Sequence, residues 1–389
     1  MQKNYGKVVK TWLIIGVIMV LFQVLIGGIT RLTDSGLSIT EWAVIQGTIP
    51  PLNEADWEVA REAYTQRAIG QVQKKWPASM YPEGIPMSEF KFIFFWEYFH
   101  RLWARTMGFV FLIPFLLFWR RKMLSKGLMK ELGKVVLIAA VVALFGWIMV
   151  KSGLDTPKYA WVNGYKLTLH LSLATLLLGY LWWTTLQVLQ PETMDGHNRR
   201  LRKFAWRITV IISLQIVLGG LMAGIKAGLF FNNFPHMEVE PDGSWVWIAE
   251  VLKDQNEWSF SNMQDYNTNT FAPAFIQLLH RSTAYLLCLL IPVFYVNVKR
   301  IHQSKALERG SLVLLLLLVV QVVLGILTLL FAVGKIPLFW GVAHQTGGLL
   351  LLLAMLYVNY QFSSGGKRIA LKNRKENLTE EVIDTSTNS

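Results

Sequence analysis

The stretch Glu97-Tyr98-Phe99-His100-Arg101 puts an acid, an imidazole and a guanidinium within about one helical turn, at the opening of a long apolar segment. Glu97 and His100 share a helix face, and Glu97 precedes Arg101 by four residues, the favourable order for an acid–base pair. Ionisable groups at membrane depth are costly, so three together mark a candidate site. A near copy, Gln277-Leu278-Leu279-His280-Arg281, carries an amide where the first carries the acid. A carboxylate can take up a proton or offset positive charge, whereas a neutral amide can only hydrogen-bond. The first copy, with Glu97 and Arg101, is therefore the expected reaction site. The second, with Gln277 and Arg281, is the expected electron-transfer or structural site. The plainer reading of Glu97 is that it neutralises Arg101 at the membrane interface.

The chain has seven histidines, and four of them, His100, His170, His280 and His344, fall in apolar segments. A lone buried histidine is more often a hydrogen-bonded core residue than a ligand. Four on four different helices, two in each half and at matched depth, form a pattern. Two imidazoles from facing helices of a four-helix bundle are the geometry of axial haem ligation, with iron as the metal. Gly27-Gly28 and Gly219-Gly220 would let backbone approach a flat macrocycle, or serve helix–helix contact through small residues. Arg101, Arg105, Arg281, Lys166 and Lys226 are placed to meet haem propionates, or to snorkel to the interface. The Trp and Phe residues read mostly as lipid-facing and interfacial. His197 and His302 lie in basic loops, and His236 lies in the second long loop.

Composition says what must position these groups. The 389 residues are 53% hydrophobic and 16% charged, too few charges for a soluble domain of this size. Apolar runs long enough to cross a bilayer recur at about 9–29, 96–118, 135–152, 165–188, 206–225, 273–296, 311–333 and 339–361. The fold class is thus an all-α polytopic membrane protein of eight spans. The net charge of +13 sits in short loops between apolar runs, which is the positive-inside pattern and excludes nucleic acid as a partner. Basic loops alternate with two long ones, about 30–95 and 226–272, the second acidic. This pattern puts both termini in the cytoplasm and the histidines near the outer face. The basic N-terminal stretch resembles a signal peptide, but the apolar run is too long and no A-x-A site follows, so it reads as an uncleaved span. The single cysteine, Cys288, rules out an intrachain disulfide, a cysteine-based zinc site and an iron–sulfur cluster.

The halves resemble each other. Gln23-Val24-Leu25-Ile26-Gly27-Gly28 matches Gln215-Ile216-Val217-Leu218-Gly219-Gly220, and each His-Arg pair is followed by a proline, Pro114 or Pro292. Four spans per unit insert the same way round, which predicts a parallel tandem repeat of two four-helix bundles. The expected division is 1–189, 190–362 and a polar tail at 363–389.

Several motifs in combination resemble the haem A synthases, in the form shared by Gram-negative bacteria and mitochondria. They are the loop from Gly28-Ile29-Thr30-Arg31-Leu32 to Thr33-Asp34-Ser35-Gly36-Leu37-Ser38, Glu97-x-x-His100-Arg101, and Gly219-Gly220-Leu221-Met222-Ala223-Gly224. Phe231-Asn232-Asn233-Phe234-Pro235-x-Met237, His280-Arg281 and His344-Gln345 complete them, so the resemblance covers about residues 8–360. It implies a membrane oxidoreductase that converts the methyl group of haem O to the formyl group of haem A, for terminal oxidase biogenesis. By the same resemblance His100 and His170 hold the substrate haem O, and His280 and His344 hold a resident haem B. The acid at Glu97 is then a proton acceptor or a stabiliser of positive charge. The implied partners are haem O and haem A, haem O synthase, cytochrome oxidase assembly factors, an unidentified electron acceptor and the bilayer; a homo-oligomer stays open. Some relatives carry an outer-loop cysteine pair that this chain lacks, which leaves the electron route unassigned. The alternatives are a dihaem cytochrome that only passes electrons and a haem transporter or chaperone.

Overall fold

The computed structural model describes residues 5–40, 49–67, 84–155, 162–190, 198–239, 243–246, 258–266, 269–301 and 304–363. Eight of its helices are long and apolar enough to cross a membrane. In chain order they are α1 (Lys7–Leu32), α3 (Met87–Arg120), α4 (Lys126–Leu154), α5 (Gly164–Leu189), α6 (Arg199–Gly224), α8 (Phe271–Arg300), α9 (Lys305–Leu330) and α10 (Leu338–Gln361). Between them come α2 (Glu54–Arg67), the short α7 (Phe260–Gln264) and a two-residue antiparallel pair, Glu238–Val239 with Trp245–Val246. Side chains facing away from neighbouring helices are apolar: Phe109, Val210 and Leu289 are 66%, 65% and 62% exposed. Such a surface suits lipid and not water, so the chain is a multi-pass membrane protein.

Local sequence sets the helix starts. Ser125, Asn163, Asn198 and Ser304 cap α4, α5, α6 and α9, each side chain accepting from a backbone N–H in the first turn. Buried hydroxyls inside the spans, such as Thr168 and Thr185, donate to the carbonyl four residues back, so they need no partner from lipid.

The buried side chains gather into two main cores. One joins Leu13, Val17, Leu128, Leu132, Leu178 and Leu181, from α1, α4 and α5, with Phe118 of α3. The other joins Ile208, Ile212, Ile291, Phe294, Leu314 and Met355, from α6, α8, α9 and α10. Contact between the two groups runs along α1 with α10, α5 with α6 and α5 with α10. Indole N–H groups tie helices together: Trp12 donates to Val110 O, Trp103 to Met19 O and Trp182 to Leu353 O. Those three tryptophans face neighbouring helices, whereas Trp119 and Trp206 are exposed, as the sequence suggests for most of them.

The second and third spans both begin about nine residues before their predicted starts, α4 at Lys126 and not near 135, and the second bears on the site. It was expected to open near Glu97, but α3 begins at Met87, about three turns earlier. The cause is a separate small core. Phe90, Ile93 and Phe94 pack with Ile85 and with Tyr64 of α2, with Trp57 alongside. Burying an aromatic or aliphatic side chain of this size contributes about 1.5–3 kcal/mol, so the extension is held well above the apolar run. The segment predicted as loop 30–95 therefore holds the end of α1, all of α2 and the start of α3. The predicted tail at 363–389 lies outside the described residues beyond Ser363, as do His197 and His302.

Candidate functional site

The four span histidines form two pairs, each toward the helix ends that the long connections join, and each pair with its surroundings is called a pocket below. In the second, His280 of α8 and His344 of α10 face each other with ring centroids 6.3 Å apart and planes at 75°. Two metal–imidazole bonds of about 2 Å, placed in line, span about 4 Å. The two ring radii make up the remainder, so the separation is one that two imidazoles sharing a metal would have, with His280 Nε2 at present 3.4 Å from Gln215 Nε2. In the first pocket His100 of α3 and His170 of α5 lie within electrostatic reach of each other. Among the described residues no cluster of three or more His, Cys, Asp or Glu could cage a metal by itself. A metal held by two imidazoles must then bring its other donors with it, as an iron porphyrin does.

Each of the four rings lies against a glycine. A Cβ on Gly27 would stand 3.1 Å from His100 Nε2, one on Gly146 2.8 Å from His170 Cε1, one on Gly219 3.4 Å from His280 Cε1, and one on Gly325 2.8 Å from His344 Cε1. Gly27 and Gly219 belong to motifs read from the sequence. Gly146 on α4 and Gly325 on α9 were missed, because a lone glycine in an apolar helix carries no local signal. These notches let a helix back approach an imidazole edge closely.

Glutamines complete the setting. Gln23 Nε2 donates to His100 O at 3.2 Å, and Gln215 Nε2 donates to His280 O at 3.0 Å. Gln321 of α9 donates to His344 O at 2.9 Å and lies 3.1 Å from His344 Nδ1. Gln321 also escaped the sequence reading; its signal is a lone amide in the most hydropathic span.

The two copies of the first motif differ in what they grip. Glu97 is 3% exposed, and its carboxylate accepts from Arg101 Nη2 at 2.6 Å, Ser38 Oγ at 2.7 Å and Ile39 N at 2.9 Å. Gln277, fully buried, donates to Ala227 O at 3.1 Å and Phe231 O at 2.8 Å. Arg281 donates to the carbonyls of Asn233 at 2.8 Å and His236 at 3.2 Å. Of the cations expected near propionates, Arg101 is held by Glu97, Arg281 by these carbonyls, and Lys226 by Asp34 at 3.1 Å.

Between the pockets, Arg31 Nη2 donates to Ala223 O at 2.9 Å and Gly224 O at 3.1 Å, satisfying carbonyls at the C-terminal end of α6. Its Nη1 pairs with Asp34 at 3.0 Å. Gln345, next to His344, donates to Val24 O at 2.7 Å and rests on Gly28, where a Cβ would stand 2.6 Å from its amide nitrogen.

Fold and site together define a polytopic helical membrane protein with two pairs of histidines on four of its spans. The chain belongs to the family of cytochrome oxidase assembly proteins, whose model matches residues 10–356. It is similar to the protein named Heme A synthase from Nitrosospira multiformis, 38% identical over 91% of this chain and 93% of the relative. It is similar also to those of the same name from Nitrosomonas eutropha, 39% identical over 90% and 92%, and Flavobacterium psychrophilum, 36% identical over 93% and 100%.

Proposed function

We propose that this chain is a haem A synthase, a membrane oxidoreductase that converts the methyl substituent of haem O to the formyl group of haem A. The observation that carries the reading is the apposed pair His280 and His344 at 6.3 Å, with His100 and His170 near each other in the other half, in a chain of this family. In this reading His100 and His170 hold the substrate haem O, and His280 and His344 hold a resident haem B. The bound iron porphyrin supplies the redox chemistry. The chain supplies orientation, exclusion of water and fixed charge.

Glu97 is the charged group that only the first pocket has. All three of its partners present hydrogens to the carboxylate, so it offers fixed negative charge beside the pocket. That arrangement suits stabilisation of positive charge at the oxidised carbon, and the one acceptor position left on Oε1 keeps proton uptake open as the other role. Arg101 holds the carboxylate in place.

We read the architecture as two tandem four-helix bundles, 1–189 and 190–362. The glycine notches support the division, since Gly27 and Gly219 stand alike, as do Gly146 and Gly325. The alternation of basic and long loops supports a bacterial cytoplasmic membrane, both termini inside and the pockets near the outer face. Haem O synthase upstream and terminal oxidase assembly downstream are the partners this chemistry calls for.

The test is to purify the protein and extract its pigment. Haem B with haem O or haem A is the expected result. Haem B alone would leave an electron-carrying cytochrome, and no haem at all would overturn the reading.

A further inference from the structure

The two halves close differently on the flank that faces lipid. In the second half α8 packs along both α6 and α9. In the first half α3 packs along α1 but makes no comparable contact with α4, although only residues 121–125 join the two helices. Side-chain burial follows the same contrast. Leu287, Ile291 and Phe294 of α8 are buried, while Met107, Phe111 and Pro114, at the same distances beyond His100, are half-buried. Ala104, one turn past His100, is exposed, and its counterpart Ala284 is half-buried. On α4 Ala143, one turn before Gly146, is exposed, where α9 sets the larger Val322 half-buried. Gly108 has nothing within 4 Å of where a Cβ would stand.

Helix geometry says which way these residues face. Each residue turns about 100° around the axis, so Ala104 lies about 40° from His100 and Gly108 about 80°, on the same side. Trp103 and Val110, which meet α1 through Met19 O and Trp12 Nε1, lie about 60–80° to the other side. The open flank of α3 therefore begins at the pocket and turns away from α1. On α4, Ala143 lies about 60° to one side of Gly146, the glycine against His170, and Glu131, which accepts from Tyr180 of α5, about 60° to the other. A seam lined by small residues thus runs between α3 and α4, from the lipid-facing surface to His100 and His170.

Resting on the proposed function, we infer that the seam between α3 and α4 is a lateral portal, through which haem O passes from the lipid to His100 and His170 and haem A returns. A haem with a long isoprenoid tail, as haem O is, is held by the bilayer at about 0.8 kcal/mol per buried CH₂, so a path through the membrane flank avoids a costly passage through water. The substrate must enter and the product leave, and the half proposed to handle them is the one whose flank is open. A resident haem needs no such route, and the packing of α8 along α9 closes the equivalent flank.

The experiment uses the full-length protein carrying haem B, in dodecyl maltoside, mixed rapidly with haem O in the same detergent. Binding is followed by the absorbance of the newly ligated haem, and the affinity by titration. Gly108→Phe and Ala143→Phe fill the seam from its two sides, the first into open space. Each should slow binding about 10-fold, the effect of about 1.4 kcal/mol on the barrier, with the spectrum, the Kd and the haem B content of wild type. A blocked route slows entry and exit alike and so leaves the equilibrium alone. Cys288→Phe, at the place of Gly108 in the second half, should bind haem O at the wild-type rate. Wild-type rates in both filled variants would overturn the inference and leave the synthase reading intact. So would a Kd weakened in step with the rate, which marks a disturbed pocket and not a blocked route. Wild-type protein that binds haem O through the seam but forms no haem A in cells supplied with haem O would sink the synthase reading and leave the portal. Wild-type protein that binds no haem O would sink both.

Discussion

Glu97 and Gln277 stand three residues before equivalent histidines, yet they grip their loops with opposite polarity. In the first half the loop gives donors, Ser38 Oγ and Ile39 N, and the helix gives the acceptor. In the second half the loop gives carbonyls, Ala227, Phe231 and Asn233, and the helix gives the donors. The following arginine adapts accordingly: Arg101 closes on its own helix and Arg281 on the loop. One site therefore keeps a buried carboxylate beside its pocket while the other satisfies the same geometry with neutral groups. The lesson is that the acid cannot be exchanged alone, because each loop is cut to the polarity of its helix.

The largest effect expected is at the ligands themselves. His344→Ala should abolish the low-spin absorption of the second haem and leave His280 facing a gap, read by visible spectra of the purified protein. His170→Ala should spare that signal and remove haem O binding. A loss of both signals in either variant would break the separation of the pockets.

Next come the clamps. Glu97→Gln leaves Arg101, 11% exposed, without its counter-charge, and losing one member of a buried pair costs about 3–5 kcal/mol. The expected outcome is a lower unfolding midpoint and no haem A, with haem B retained. Gln277→Glu places a carboxylate against the carbonyls of Ala227 and Phe231, and Arg281 is only a partial remedy. The expected cost is about 1–3 kcal/mol, from carbonyls stripped of donors, with haem A production reduced less than in Glu97→Gln. If the two variants behaved alike, the contrast between the loops would have no functional weight.

Much of this was legible in the sequence. Eight spans, the paired histidines and the acid–amide contrast all follow from hydropathy and spacing, because the bilayer fixes span length and the 3.6 period fixes faces. What was not legible is tertiary. The three extra turns of α3 arise because Phe90 and Phe94 meet Tyr64 of α2, a contact between distant segments. Ser38 and Ile39 gain their role only when the chain folds back on Glu97. Gly146 and Gly325 look like any helix glycine until an imidazole from the next helix lies against them.

Those glycines give a finer comparison within one pocket. A Cβ at position 325 would meet His344 Cε1 at 2.8 Å, whereas one at 219 would meet His280 Cε1 at 3.4 Å. The first forces the ring aside, and overpacking of this kind costs about 1–3 kcal/mol. The second is ordinary contact, and alanine gains about 0.5–1 kcal/mol over glycine in a helix. Gly325→Ala should therefore shift the haem spectrum and lower stability, while Gly219→Ala should leave the spectrum alone and hold or raise the unfolding midpoint. Equal shifts from both would mean that the notches do not aim the rings.

The smallest effect concerns the bond between the halves. Asp34 and Lys226 each stand seven residues beyond the ring-facing glycine of their motif, both have left-handed backbone (φ 53 and 56), and they pair with each other at 3.1 Å. With side chains 23% and 28% exposed, the pair is worth about 0.2–1 kcal/mol. The two positions are not interchangeable, however. Asp34 also holds Arg31, and the residue at the matching place in the second half is Ala223, which has no charge to offer. Exchanging Asp34 and Lys226 would set a lysine beside Arg31, so the double exchange should be less stable than Lys226→Ala alone. Lys226→Gly should be more stable than Lys226→Ala by about 1 kcal/mol, since glycine takes the left-handed conformation without penalty. The difference, read from chemical unfolding in detergent, separates the cost of the backbone turn from that of the ion pair.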